Sequence, residues 1–329
     1  MAKPRVFVTR QIFPEEFKRI QEVADAELWT DELPPSRDIL LKKSNGVDGI
    51  LCLLTDKIDA EFMDNAGPQL KVISQIAVGF DNIDIAEATK RGIPVGNTPD
   101  VLTHATADAT WALMLAASRR FGESERAIRA GRWRTWHPLH YLGPELYGST
   151  LGIIGMGRIG FEVAKRSAGF NMKVIYYDTN RREDLEKQFK MTYADMDTVL
   201  KEADFLSLHT WGGKSTYHLI DEKALTKMKK TAVLVNAARG PVVDPKALYN
   251  ALKNGVINSA GLDVTEPEPI PMSDPLLTLD NCLIVPHIAS ATTKARKEMS
   301  RISAQNLING VKGEKLLTCV NPDVYKAKK

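Results

Sequence analysis

Cysteine is scarce in this chain: three residues in 329, at Cys52, Cys282 and Cys319. Three thiols cannot all pair with one another. Their neighbours are mostly apolar (Leu51 and Leu53, Leu283, Val320), which suits buried reduced thiols better than a disulfide framework. No Cys/His cluster has the spacing of metal ligands, so no metal site is expected. Long apolar runs are missing too. No stretch approaches the ~20 residues needed to span a bilayer, and the N-terminus enters a short strand rather than a signal segment. A cytoplasmic address with no membrane partner is the expectation. Charge excess is slight, 44 Lys plus Arg against 41 Asp plus Glu, and gives no reason to expect nucleic-acid binding. Compositional bias is likewise lacking: 43% hydrophobic and 26% charged residues, with 22 Gly and 17 Pro, exclude disorder, collagen and coiled coil.

What is present is alternation. At ~150 residues per domain the length suggests two domains. Apolar runs at 6–8, 27–29, 49–54, 71–75 and 92–95 read as strands, and amphipathic stretches at 14–23, 37–43 and 59–65 as helices. The run at 49–54 is continuously apolar, as expected of a strand buried on both faces of a parallel sheet. Residues 100–120 read as one long helix, and the Trp-, His-, Pro- and Gly-rich stretch 131–147 as a loop. Alternation restarts after Ser149. Strands are expected at 150–154, 173–177, 205–208, 232–236, 259–264 and 282–285, with helices at 158–169 and 196–202. The two halves share this pattern without a sequence repeat. A last helix, 292–310, is expected to fold back on the first half.

Gly155-Met156-Gly157-Arg158-Ile159-Gly160 matches G-x-G-x-x-G. Alone the pattern is weak. Here it follows the expected strand 150–154, opens a helix, and precedes a second strand that ends in Asp178, 18 residues after Gly160. Gly155 suits a tight turn, Gly157 a close approach of backbone to a pyrophosphate, and Gly160 close helix–strand packing. Asp178 would accept from a ribose 2′-hydroxyl and repel a 2′-phosphate, which favours NAD. Arg181 and Arg182 follow closely and keep NADP open as the alternative cofactor.

Three polar residues sit at the C-terminal ends of apolar runs in the second half: Arg239, Glu268 and His287. Each alone has a structural explanation, as a surface ion-pair partner, a turn residue between prolines and a packed loop histidine. After a nucleotide fingerprint they also form a carbonyl-reduction set. A guanidinium fork binds a carboxylate, an imidazole delivers a proton, and a carboxylate holds the imidazole charged. His104 and His218 read as structural, whereas His137 and His140, in the Trp-rich loop, could border a substrate.

These stretches, with 77–82, 97–102, 235–240, 261–264 and 286–290, resemble the D-isomer-specific 2-hydroxyacid dehydrogenases over essentially the whole chain, the glyoxylate/hydroxypyruvate reductases in particular. The resemblance implies an α/β protein of two doubly wound parallel-sheet domains, a Rossmann nucleotide-binding domain inserted in a flavodoxin-like substrate domain. Residues 1–100, completed by 290–329, would be the substrate domain, and 101–289 the NAD-binding domain. It implies His287 as acid/base, Glu268 as its partner and Arg239 as substrate anchor. The backbone N–H groups of Val78 and Gly79 would hold the substrate carboxylate. Met156 to Ile159 would meet the pyrophosphate, Asp263 the nicotinamide, and Thr210, Ala237 and Ala238 would also line the cofactor. Where the family commonly has His-x-Pro, this chain has His209-Thr210-Trp211, which puts the Thr210 contact in doubt. The implied reaction is reduction of a small 2-oxo acid, glyoxylate or hydroxypyruvate, by a homodimer. D-lactate and phosphoglycerate dehydrogenases, and a non-catalytic NAD-sensing corepressor, are the alternatives.

Overall fold

The computed structural model describes residues 2–326. They divide into two compact units, one made of the described residues up to Leu102 and from Thr292 onward, the other of Thr103–Ala291.

The first unit opens with β1 (Arg5–Val8), α1 (Pro14–Val23), β2 (Asp25–Leu28), α2 (Arg37–Ser44) and β3 (Gly49–Cys52). It continues with α3 (Ala60–Ala66), β4 (Val72–Gln75), α4 (Ile85–Lys90) and β5 (Val95–Gly96). All pairings are parallel, in the order β2-β1-β3-β4-β5, which is the flavodoxin-like winding. β3 and β4 are buried along their whole length, as the apolar run at 49–54 requires. Short polar residues start the helices: Asp59 accepts from Phe62 N–H at 3.0 Å and Asp84 from Glu87 N–H at 2.9 Å.

The second unit begins with α5 (Thr103–Ser118) and α6 (Phe121–Arg129). The single helix expected over 100–120 is α5, trimmed at both ends, and α6 is a further helix that follows it. Asp100 and Arg120 take left-handed backbone (φ 71° and 54°), which stops α5 at both ends and turns the chain into α6. Next come β6 (Thr150–Ile154), α7 (Arg158–Arg166), β7 (Lys173–Tyr177), α8 (Glu183–Phe189), β8 (Thr192–Tyr193), α9 (Met196–Glu202) and β9 (Phe205–Leu208). The unit ends with α10 (Glu222–Lys227), β10 (Val233–Asn236), α11 (Pro245–Lys253), β11 (Ser259–Leu262) and β12 (Cys282–Ile284). The seven-stranded parallel sheet runs β12-β11-β10-β9-β6-β7-β8, a Rossmann order extended by one strand. Its strands alternate between two apolar layers. Leu206, Leu208 and Leu234 face one layer, and Phe205, Val233 and Val235 the other. Trp111 of α5 closes the second layer, donating its indole N–H to Val163 O at 3.0 Å and stacking on Phe170.

α12 (Thr293–Val311) packs against α1, β3 and β4, so the chain returns to the first unit as expected. All three cysteines are free. Among the described residues no helix is long and apolar enough to cross a membrane.

Candidate active site

Strand order reverses in the second sheet between β6 and β9, and there doubly wound sheets bind ligands beyond their C-terminal strand ends. The glycine segment lies at this point. Gly155 has φ +96°, and a Cβ on it would lie 2.5 Å from His209 O, so only glycine fits. A Cβ on Gly160 would lie 2.1 Å from Gly155 O, so that position too excludes a side chain. A Cβ on Gly157 would meet nothing within 4 Å. The N-terminus of α7 starts at Gly157 with no side-chain cap. Arg158 is exposed there and Ile159 half-buried against the core. An open approach, an uncapped helix end and its dipole fit a pyrophosphate.

Asp178 closes β7 against this loop. Its Oδ2 accepts from Met156 N–H at 2.7 Å and its Oδ1 from Asn180 N–H at 2.8 Å. Met156 thus differs from the expectation placed on it. Its N–H is taken by Asp178 and its side chain is buried, so it shapes the loop rather than meeting a pyrophosphate. Arg181 forks onto Glu186 at 2.8 and 2.9 Å, and Arg182 onto Asp184 at 2.9 and 3.1 Å. Both guanidiniums are already matched by local carboxylates. After β9, burial drives the pKa of His209 down to about 3, so the ring is neutral beside Ser207 Oγ at 2.8 Å. The hydroxyl of Thr210 is buried with no partner, an orphan that native proteins rarely keep without a ligand or water.

The three candidate catalytic side chains stand beyond the ends of β10, β11 and β12. Asn236, which the sequence reading overlooked, shapes the first loop. It accepts from Ala238 N–H at 3.0 Å and donates to Arg239 O at 2.8 Å, while Arg239 donates back to Ala238 O at 2.8 Å. Ala237 is half-buried and Ala238 buried in that loop. His287 Nδ1 lies 2.6 Å from Glu268 Oε1. Partial burial disfavours the Glu268 carboxylate, but the His287 hydrogen bond and charge, the Thr265 N–H and the Arg239 guanidinium outweigh it and hold its pKa below the usual range.

Asp263 also departs from the expectation. It is 2% exposed, and its carboxylate accepts from the Ile288 and Ala289 N–H groups at 2.7 and 3.1 Å. His287 N–H donates to Asp263 O at 2.9 Å. Asp263 therefore holds the loop that carries His287, whose own backbone is left-handed at φ 52°. Burial raises the Asp263 pKa against the pull of those N–H groups. Among the other histidines, His104 faces Glu162 at 3.2 Å in an exposed position, and His137 stacks on His140.

In the first unit, Val78 and Gly79 lie just beyond β4. Their carbonyls are held by Asn97 Nδ2 at 2.9 Å and Gln75 Nε2 at 3.1 Å, and neither N–H has a partner among the described residues.

Residues 111–289 match the family described as D-isomer specific 2-hydroxyacid dehydrogenase, NAD binding domain. The chain is 51% identical over 327 residues to a glyoxylate reductase of Korarchaeum cryptofilum, covering 99% of this chain and 98% of that one. A glyoxylate reductase structure from Paecilomyes thermophila superposes with a TM-score of 0.86 at 34% identity, covering 97% and 99% of the two chains. An NADPH-dependent glyoxylate/hydroxypyruvate reductase of Sinorhizobium meliloti, in complex with NADP and malonate, gives 0.84 at 33%, covering 97% of each. The chain belongs to the D-isomer-specific 2-hydroxyacid dehydrogenase family. It is an NAD(P)-dependent dehydrogenase.

Proposed function

We propose that this enzyme reduces glyoxylate, and hydroxypyruvate second, to the 2-hydroxy acid. The observation that carries the reading is the 2.6 Å His287–Glu268 pair beyond the sheet's C-terminal edge, in a unit that also holds the glycine segment and Arg239. When bound, the nicotinamide supplies the hydride. His287, charged, donates its proton to the oxygen of the reducing carbonyl. Glu268 holds the imidazolium in place through Nδ1 and stabilises its charge. Arg239 pairs with the substrate carboxylate and orients the carbonyl. In the first unit, the Val78 and Gly79 N–H groups are the candidate contacts for a substrate carboxylate. Gly157, Arg158, Ile159 and Gly160 hold the pyrophosphate by backbone, and Asp178 takes the ribose hydroxyls. Thr210, Ala237 and Ala238 line the remaining cofactor surface.

NAD is the preferred cofactor in this reading, because Asp178 disfavours a 2′-phosphate while Arg181 and Arg182 are matched by Glu186 and Asp184. The relative from Sinorhizobium meliloti uses NADPH, so the choice rests on these residues rather than on the family. A cytoplasmic homodimer acting on a small 2-oxo acid completes the proposal. Initial rates with glyoxylate, hydroxypyruvate, pyruvate and 3-phosphohydroxypyruvate, each with NADH and NADPH, test it. A preference for pyruvate would favour the D-lactate reading. No turnover, with NADH still bound, would favour a sensing protein.

A further inference from the structure

We infer that His218 is a positioning residue that clamps the Arg239 segment to the Glu268 segment, an inference that rests on the reductase reading above. Three observations converge on it. Its backbone N–H donates to Pro241 O at 2.7 Å, two residues beyond Arg239. Its Nε2–H donates to Glu266 Oε2 at 2.7 Å, two residues before Glu268. The two segments also touch directly: a Cβ on Gly240 would lie 1.8 Å from Thr265 O. His218 thus joins the two strand-end loops, by its backbone to the Arg239 segment and by its ring to the Glu268 segment.

The histidine is itself held. Its ring stacks on Tyr217 with centroids 3.9 Å apart, and its Nδ1 lies 3.8 Å from Asp244 Oδ2. Asp244 is fixed as the N-cap of α11, accepting from Lys246 and Ala247 N–H. Glu266 and Asp244 are the carboxylates facing the ring. The backbone of His218 is left-handed at φ 49°, uncommon for a residue with a side chain, so the fold holds this imidazole where its contacts require.

The geometry divides the work between two His–Glu pairs whose glutamates share one short loop after β11 while the histidines come from two other segments. His287–Glu268 handles the proton. His218–Glu266 sets where Glu268 and Arg239 stand. Neither Glu266 nor His218 touches the reacting atoms. Their effect runs through alignment, where a displacement of about 1 Å can cost up to ~10²-fold in rate.

The test uses the full-length enzyme with His218→Leu, His218→Gln and Glu266→Ala. His218→Leu is expected to lower kcat/KM for glyoxylate by roughly 10-fold or more, with KM raised through Arg239 and kcat lowered through Glu268. The Kd for NADH should be unchanged, and the alkaline limb of the pH profile should move to lower pH. His218→Gln, which keeps a donor toward Glu266, should recover most of the rate. Wild-type KM, kcat and pH profile in His218→Leu would overturn the proposal, whatever the change in Tm. Should His218→Leu not fold, Glu266→Ala decides by the same readouts. Crystal structures of the wild type and His218→Leu separate this inference from the function. Even if the wild type reduces no 2-oxo acid, a clamp requires the Glu268 segment to move relative to the Arg239 segment when His218 is replaced, and unmoved segments reject it.

Discussion

His287 Nδ1 and Glu268 Oε1 are 2.6 Å apart, and the loop that presents His287 is tied by backbone and side chain to the buried Asp263. This leaves Nε2 as the ring atom for a substrate. If it is the proton donor, His287→Ala should lose ~10²–10⁴-fold in kcat, the usual worth of a positioned general acid. NADH binding, followed by fluorescence, should persist. Near-normal turnover in that variant would remove His287 from the role.

Arg239 is the next target. Its loop is fixed by Asn236, so the guanidinium is held ready before substrate arrives. Lysine keeps the charge but not the two-pronged fork. Arg239→Lys is expected to lose roughly 10²-fold in kcat/KM for glyoxylate, the order seen when one preorganised donor is removed. Asn236→Ala should weaken the enzyme in the same direction by freeing the loop. Steady-state kinetics of both variants check this, and an unaltered KM in Arg239→Lys would count against the anchor.

Much of this was legible in the sequence because the chemistry sits at strand ends. β9, β10 and β11 are buried on both faces and so appear as apolar runs, and the polar residue that follows each run stands out. Short helices were harder. α6, α8 and α10 are six to nine residues long and give too few turns for a clear period, and α4 was missed for the same reason. α11 did carry a readable start, Asp244-Pro245, with the Asp as N-cap and the Pro at the first helical position. Met156, Asn236 and Asp263 could not be assigned in advance. Their roles are hydrogen bonds to loop backbone, and no periodicity encodes where a loop's N–H groups point.

Cofactor choice gives a third prediction. Asp178 bonds Met156 and Asn180 through their N–H groups, so it both shapes the glycine loop and guards the ribose end. NADH should give the higher kcat/KM, and Asp178→Ala should narrow the gap to NADPH while weakening binding of both. Adding Asp184→Ala, which frees Arg182, should narrow it further, because an unpaired guanidinium can then meet the extra phosphate. A wild-type preference for NADPH would reverse the assignment.

The glycine segment gives a fourth. A methyl on Gly160 would be forced against Gly155 O at 2.1 Å, and backbone cannot yield as a side-chain tip does. Gly160→Ala should lower stability by about 1–3 kcal/mol, as overpacking does, and should weaken NADH binding because the loop must shift. Gly157→Ala meets open space instead, so its Tm should hold while the Kd for NADH rises. Thermal melts with and without NADH separate the two. Equal losses of Tm would mean that Gly157 is structural rather than a cofactor contact.

The pH dependence tests the His287–Glu268 pair most sharply. Burial alone would raise Glu268, yet the His287 contact, the Thr265 N–H and the Arg239 charge hold it below the usual carboxylate range. A depressed carboxylate stays ionised as pH falls through its unperturbed value of about 4.3. The pair therefore survives moderate acid and is lost only below that value. On the alkaline side, reduction needs the imidazolium, so kcat/KM should fall as His287 gives up its proton. Glu268→Gln removes the negative charge that favours the imidazolium, and the falling limb should move to lower pH. Oxidation of the 2-hydroxy acid needs neutral imidazole, so its rate should rise with pH, and the same substitution should shift that rise to lower pH as well. Profiles of kcat/KM in both directions measure the shift, with the hydride donor deuterated in each case, the nicotinamide C4 for reduction and the hydroxy acid C2 for oxidation, to show that hydride transfer limits the rate. Limbs that stay in place in the Gln variant would mean that Glu268 does not tune His287, and the carboxylate would then serve the loop rather than the proton.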